Sequence, residues 1–217
     1  SGEGIPGVYV SFDNGDRWVS TSLIKIAVGT LAAIGRNLFA ASDGVQRSTD
    51  NGTTWSSAGL AGQTVRSLVT IGVNLYAGTD DGDVFRSTDY GTSWTAITKD
   101  LPTNHDPKTG IFTLGVVGAN LCASVVSKGL FLFSGCVSWA DMNSDLINSS
   151  VVHTFAVNGR ILYAGTGNGG VFRSVDAGVN WQAVTAGLGK SDVLALATAG
   201  ENLFAGTNGA GVYRSTN

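Results

Sequence analysis

One eight-residue phrase constrains this chain more than any other feature. Ser-x-Asp-x-Gly-x-x-Trp recurs at Ser11, Asp13, Gly15 and Trp18; at Ser48, Asp50, Gly52 and Trp55; at Ser87, Asp89, Gly91 and Trp94; and at Ser174, Asp176, Gly178 and Trp181. A worn copy from Gly129 to Trp139 keeps the tryptophan but is shorter and has no Asp. Together these copies use all five tryptophans, spaced 37, 39, 45 and 42 residues apart. Self-similarity at such a period marks a repeat architecture.

A second phrase precedes every box but the first, beginning at Asn37, Asn74, Asn120 and Ile161, and recurs a fifth time at Asn202, reading Leu-aromatic-Ala in most copies. Before each lies a β-patterned run: Ile24 to Ile34, Val65 to Ile71, Ile111 to Val117, Val151 to Val157 and Val193 to Thr198. Short alternating runs bounded by Gly, Asn and Asp are half-buried strands joined by hairpins. The box is then a hairpin turn. Its Asp accepts turn N–H groups, its Gly supplies a positive φ, and its Trp packs between neighbouring sheets.

Composition agrees. Glycine makes up 31 of 217 residues and charged residues 13%, against a usual ~7% and ~25%. This excludes a charged helical bundle and a disordered tail, while 43% hydrophobic content suffices for a core. A net charge of −3 gives no electrostatic reason to expect nucleic acid or an anionic membrane. No apolar run approaches the ~18 residues of a spanning helix, so no membrane insertion is expected.

Four short antiparallel strands repeated about every 41 residues read as blades of an all-β, five-bladed β-propeller. A single domain over 1–217 is expected, with units of about 21–59, 60–102, 103–145, 146–188, and 189–217 joined by 1–20. The N- and C-terminal strands are expected to close the ring, Asp16 to Ser20 completing the blade that begins at 193. One third-strand copy is surplus, so either Gly7 to Val10 or Val212 to Arg214 is displaced or pairs with another molecule. The alternative is an excerpt from a longer repeat chain.

The boxes resemble the Asp-box, or bacterial neuraminidase, repeats of the sialidase-like superfamily. The whole unit is similar to repeats in secreted bacterial surface proteins, photosystem II assembly factors and sortilin-type receptors. In that superfamily, which spans sialidases, xyloglucanases, lectins and scaffolds, the box is a structural turn facing away from the binding site. The resemblance therefore implies a structural role, not a catalytic one, for Asp13, Asp50, Asp89 and Asp176, for Gly15, Gly52, Gly91 and Gly178, and for Trp18, Trp55, Trp94, Trp139 and Trp181. Fold does not imply function.

The sequence departs from a sialidase. Arg47, Arg86, Arg173 and Arg214 occupy one position in four different units, and equivalent positions on a ring cannot meet. Only two glutamates are present, Glu3 and Glu201. A glycosidase needs two carboxylates ~5–9.5 Å apart, and the one crowded set is Asp80, Asp81 and Asp83, for which ordinary hairpin residues are the competing reading. No catalytic residue, cofactor or metal site is expected, and the enzyme question leans to no.

A binding site is sought where repeats disagree. Aligned inner strands give core columns of Val28, Val65, Ile111, Val152 and Val193, and of Leu31, Leu68, Leu114, Phe155 and Leu196. The column after the first reads Gly29, Arg66, Phe112, His153 and Leu194, at the mouth of the central channel. Arg66, Phe112 and His153 can hold an anionic or sugar-like group; drifted channel packing is the bland alternative. The 99–110 insertion on the same face adds His105, Asp106 and Lys108 as ligand candidates, against simple tolerance of an insertion.

Cys122 and Cys136 read as buried apolar residues or a short-loop disulfide. Residues 1–7 carry no signal peptide. Sequons at Asn51 and Asn148, low charge and the resemblance fit an extracytoplasmic or secreted protein. The function expected is a non-catalytic binding or scaffold propeller of an exported or cell-surface protein, a monomer engaging protein or glycan through the channel-mouth face. The alternative is a glycan-processing hydrolase or lectin of the sialidase-like group.

Overall fold

A computed structural model of the chain describes residues 6–103, 110–134, 138–142, 151–167, 170–189 and 191–216. Every regular element among them is a strand. At the N-terminal end β1 (Gly7–Val10) pairs with β2 (Val19–Ile24). Four four-stranded antiparallel sheets follow in chain order. They are β3 (Leu31–Ile34), β4 (Asn37–Ser42), β5 (Gly44–Ser48) and β6 (Ser56–Ser57); β7 (Val65–Ile71), β8 (Asn74–Thr79), β9 (Val84–Ser87) and β10 (Thr95–Ala96); β11 (Ile111–Val117), β12 (Asn120–Val125), β13 (Gly129–Ser134) and β14 (Ser138–Asp141); and β15 (Val152–Asn158), β16 (Ile161–Thr166), β17 (Gly170–Ser174) and β18 (Gln182–Ala183). A three-stranded sheet of β19 (Val193–Ala199), β20 (Asn202–Thr207) and β21 (Gly211–Ser215) completes the set.

Neighbouring sheets meet through their first strands, β7 against β11, β11 against β15 and β15 against β19. The core lies between them. Val65, Ile111, Val152 and Val193 are at most 3% exposed. Room for them comes from the second phrase: a Cβ on Gly78 would lie 2.5 Å from Ile111 Cγ2, and one on Gly165 2.7 Å from Val193 Cγ1. The phrase's asparagine has its own task. Asn37 Oδ1 accepts from Arg47 Nε and Nη2 at 3.0 and 2.8 Å, and Asn74 Oδ1 accepts from Arg86 Nη2 at 3.5 Å. Where Ile161 replaces the asparagine, Arg173 Nη2 donates instead to Gln182 Oε1 at 3.2 Å.

The boxes form one hydrogen-bonded turn. Ser48 Oγ donates to Asp50 Oδ1 at 2.8 Å and accepts from Gly52 N at 2.9 Å, while Thr54 N donates to Asp50 Oδ1 at 2.9 Å. The same pattern recurs at Asp13, Asp89 and Asp176. Two successive residues take left-handed φ, as at Tyr90 (59°) and Gly91 (85°), so the turn needs more than its glycine. These bonds hold the Asp50 and Asp89 carboxyls down at about 2, led by the Thr54 and Ser93 hydroxyls, and Asp176 down at about 2, led by the Asn180 amide.

Trp55 Nε1 donates within its own box, to Gly52 O at 2.9 Å, whereas the three tryptophans after it reach back to the preceding sheet. Trp94 Nε1 donates to Ala58 O at 2.8 Å, Trp139 Nε1 to Ile97 O at 2.8 Å and Trp181 Nε1 to Met142 O at 3.2 Å. The worn copy thus keeps the inter-sheet bond after losing the Asp that shapes its turn.

Two expectations need correction. The ring is not closed by a shared terminal sheet: β2 pairs with β1, and β21 pairs with β20 alone. Strands β1 and β21 carry nearly the same sequence, and the short loop between β1 and β2 makes the local partner entropically cheaper. In consequence Leu31, expected in the core, is 57% exposed, because β3 has a neighbouring inner strand on one side only.

Candidate functional site

Four of the five inner strands, all but β3, share one irregularity. In β7, Val65 pairs with Thr79 and Ser67 with Gly78, which leaves Arg66 without a partner in a β-bulge. Phe112 in β11, His153 in β15 and Leu194 in β19 are the unpaired residues of bulges at the same place. A bulge takes a residue out of the in-out alternation and re-aims its side chain. The column that differs between repeats is therefore the column of bulge residues, while the valines before it remain in the core.

The bulges bring three of the candidates together. Phe112 and His153 stack with centroids 4.7 Å apart and planes inclined by 21°. Arg66 Nε forms an ion pair with Asp80 Oδ1, at side-chain exposures of 51% and 30%. Arg66, Asp80, Phe112 and His153 line a cavity of about 280 Å³, floored by Ile111 and Val126. A second hollow of about 540 Å³ shares Arg66, Asp80 and Phe112 and extends towards Gly29 and Asp43. His153 Nδ1 is buried without a hydrogen-bond partner among the described residues. A buried, unsatisfied nitrogen beside a cavity is a point where a ligand or water donor or acceptor is missing.

The charge of Arg66 is compensated by Asp80, which stood out in the sequence only as a member of the crowded 80–83 carboxylate turn. The signal lay at the end of the second strand, where the backbone of each turn residue donates to the residue two before the bulge: Asp80 N to Thr64 O, Val126 N to Gly110 O and Gly167 N to Val151 O, all at 3.0 Å. This ladder sets Asp80 beside Arg66, Val126 beside Phe112 and Gly167 beside His153. Glycine suits the last position, since a Cβ there would lie 3.2 Å from His153 Cε1.

The other candidates stay apart. Asp83 Oδ1 accepts from Thr98 Oγ1 at 2.9 Å, so the carboxylates of the 80–83 turn serve different partners. Arg47 lies over the Tyr90 ring at 5.6 Å and bonds Asn37 within its own sheet, while Arg86 and Arg173 also bond within their own sheets. Leu194 is 51% exposed. His105, Asp106, Lys108, Cys136 and Asn148 lie outside the described residues. Cys122 is a free thiol, its Sγ 3.9 Å from Met142 Sδ, and burial pushes it up to about 12. No group of three His, Cys, Asp or Glu side chains is gathered for a metal among the described residues. Alternating strand direction puts the bulges at one end of the sheets that carry them and the boxes at the other.

Comparison with known proteins agrees with this architecture. The family model of the DUF6242 beta propeller domain matches residues 8–114. The chain folds as a β-propeller domain. No curated protein sequence matches it. Among solved structures, an ancestral GH74 enzyme is 20% identical over 97% of this chain and 36% of its own, with a TM-score of 0.73. The GH74 xyloglucanase from Xanthomonas campestris is 17% identical over 98% of this chain and 41% of its own, with a TM-score of 0.77. The computationally designed Ika8 protein is 11% identical over 96% of this chain and 64% of its own, with a TM-score of 0.68. The propeller here spans less than two thirds of each of these chains, and the likeness is one of fold.

Proposed function

We propose that this propeller is a non-catalytic binding module of an exported or cell-surface protein, and that it takes a glycan at the bulge-lined cavity. The carrying observation is the convergence of the Phe112–His153 stack and the Arg66–Asp80 pair on one hollow. An aromatic face accepts the C–H face of a sugar ring, and a compensated ion pair offers donors and acceptors to hydroxyls without demanding a charged ligand. The unpartnered His153 Nδ1 supplies one further polar contact. The boxes on the opposite end are the structural turns of Asp-box repeats in a sialidase-like propeller. Five repeat units, one per Leu-aromatic-Ala phrase, make up a single domain of five blades over 1–217.

A glycan array probed with the wild-type chain and with Phe112→Ala, His153→Ala and Arg66→Ala tests this reading. The expected result is selective binding that each substitution weakens about tenfold or more, with melting temperatures little changed. Binding unaffected by all three overturns the site. Turnover of xyloglucan, the polymer named for the Xanthomonas campestris relative, would favour a hydrolase instead.

A further inference from the structure

Two carboxylates are gathered at the larger of the two hollows by the way adjacent sheets meet. Asp43 and Asp80 directly follow the second strands β4 and β8, and Thr64 lies between them: Asp43 pairs with Thr64 in an antiparallel bridge, and Asp80 N donates to Thr64 O at 3.0 Å. Both carboxylates therefore line the hollow of about 540 Å³, where they meet one cation, Arg66. Arg66 is paired with Asp80, so the lining keeps one negative charge, that of the exposed Asp43. In the next two sheets the same position holds Val126 and Gly167, and the smaller hollow of about 280 Å³ has no carboxylate beyond Asp80 in its lining.

Phe112 stands between the hollows. It lines both, whereas His153 lines only the smaller and Gly29 only the larger. His153 covers one face of the Phe112 ring at 4.7 Å, which leaves for a ligand the face turned away from His153, on the side of the larger hollow. Gly29 keeps that side open, because it brings no side chain; a Cβ there would lie 3.2 Å from Arg66 O. The smaller hollow alone falls just below the ~300–1,000 Å³ of ordinary ligand sites, and the larger falls within it. Through Arg66, Asp80 and Phe112, which border both, the two form one trough across three neighbouring sheets.

We infer that the ligand is an uncharged glycan chain of at least two sugar rings, an inference that rests on the glycan reading of this cavity. One ring stacks in the larger hollow on the open face of Phe112, and the next passes over the Arg66–Asp80 pair into the smaller hollow beside His153. Sugar hydroxyls both donate and accept, so they suit Asp43 and Asp80 as acceptors and Arg66 as a donor. A uronate or sialate carboxylate in the larger hollow would instead face Asp43 and Asp80, and like charges set side by side in a binding site suppress the wrong partner. The trough thus selects against the anionic group that Arg66 alone would attract.

A glycan array graded by charge and by chain length, followed by calorimetric titration of the whole chain with the best-bound series from one ring to about six, tests the inference. Neutral chains are expected to bind, their uronate- or sialate-bearing counterparts about tenfold more weakly or worse, and affinity to rise about tenfold or more from one ring to two. Asp43→Lys turns the one net negative charge of the larger hollow into one net positive charge at an exposed position. It is expected to raise affinity for uronate-bearing chains about tenfold with an unchanged melting temperature, and added salt to erase the gain. Acidic chains bound as tightly as neutral ones, a single ring bound as tightly as a chain, or wild-type selectivity in a folded Asp43→Lys variant each overturns the inference and leaves the glycan reading standing. A wild-type chain that binds no glycan on the array overturns both.

Discussion

Phe112 and His153, 41 residues apart in sequence, lie with their ring centroids 4.7 Å apart because the same bulge interrupts both of their strands. Aromatic pairs of this kind contribute about 0.5–1.5 kcal/mol beyond their burial. A double-mutant cycle with Phe112→Ala and His153→Ala, read by urea unfolding, should show a coupling of about that size. Strict additivity of the two substitutions would mean that the rings touch without supporting one another.

The inter-sheet indole bonds make a graded prediction. Trp94→Phe keeps the ring but leaves Ala58 O without its donor, and should cost about 1 kcal/mol of stability. The same substitution at the exposed Trp18 should leave dilute-solution stability within about 0.5 kcal/mol of wild type. Chemical denaturation of the two variants side by side decides it.

The box carboxylates fix the acid limb of the stability profile. Asp50, Asp89 and Asp176 are held at about 2, well below the ordinary range of an aspartate. A lowered folded pKa stabilises the native state above the unfolded value, and that contribution disappears as the pH falls from about 4 to about 2. The melting temperature should therefore drop across this window. Asp89→Asn should lower it at neutral pH and flatten the drop, while leaving ligand binding intact.

Cys122 should be inert in the folded chain. With its thiol pushed up to about 12 by burial, little thiolate exists at mildly alkaline pH. Iodoacetamide followed by peptide mapping should find Cys122 unmodified in the native protein and fully alkylated in urea. Native labelling at Cys122 would show that β12 opens locally.

The turns, the strand order and the inter-sheet tryptophans could be read from the sequence because each is written into it several times. The candidate column was visible for the opposite reason: Arg66, Phe112 and His153 stand where copies that otherwise agree diverge. Gly167 escaped notice, and Asp80 stood out only as one of three crowded turn carboxylates, because both act through a cross-strand offset that depends on the bulge, and no residue type announces a bulge. The pairing of β2 was misjudged because β1 and β21 are nearly identical strings, so composition cannot choose between them. Proximity along the chain does.

A bulge residue stands outside the ladder, and its replacement asks nothing of the strand that carries it. On the proposed function, Arg66, Phe112 and His153 form an address that can be rewritten while Val65, Ile111 and Val152 beside them go on closing the core. On that proposal, what the propeller would recognise lies outside the ladder bonds that hold each sheet together. Randomising those three residues alone should yield a library whose members bind differently and whose melting temperatures spread only by about what the Phe112–His153 stack contributes.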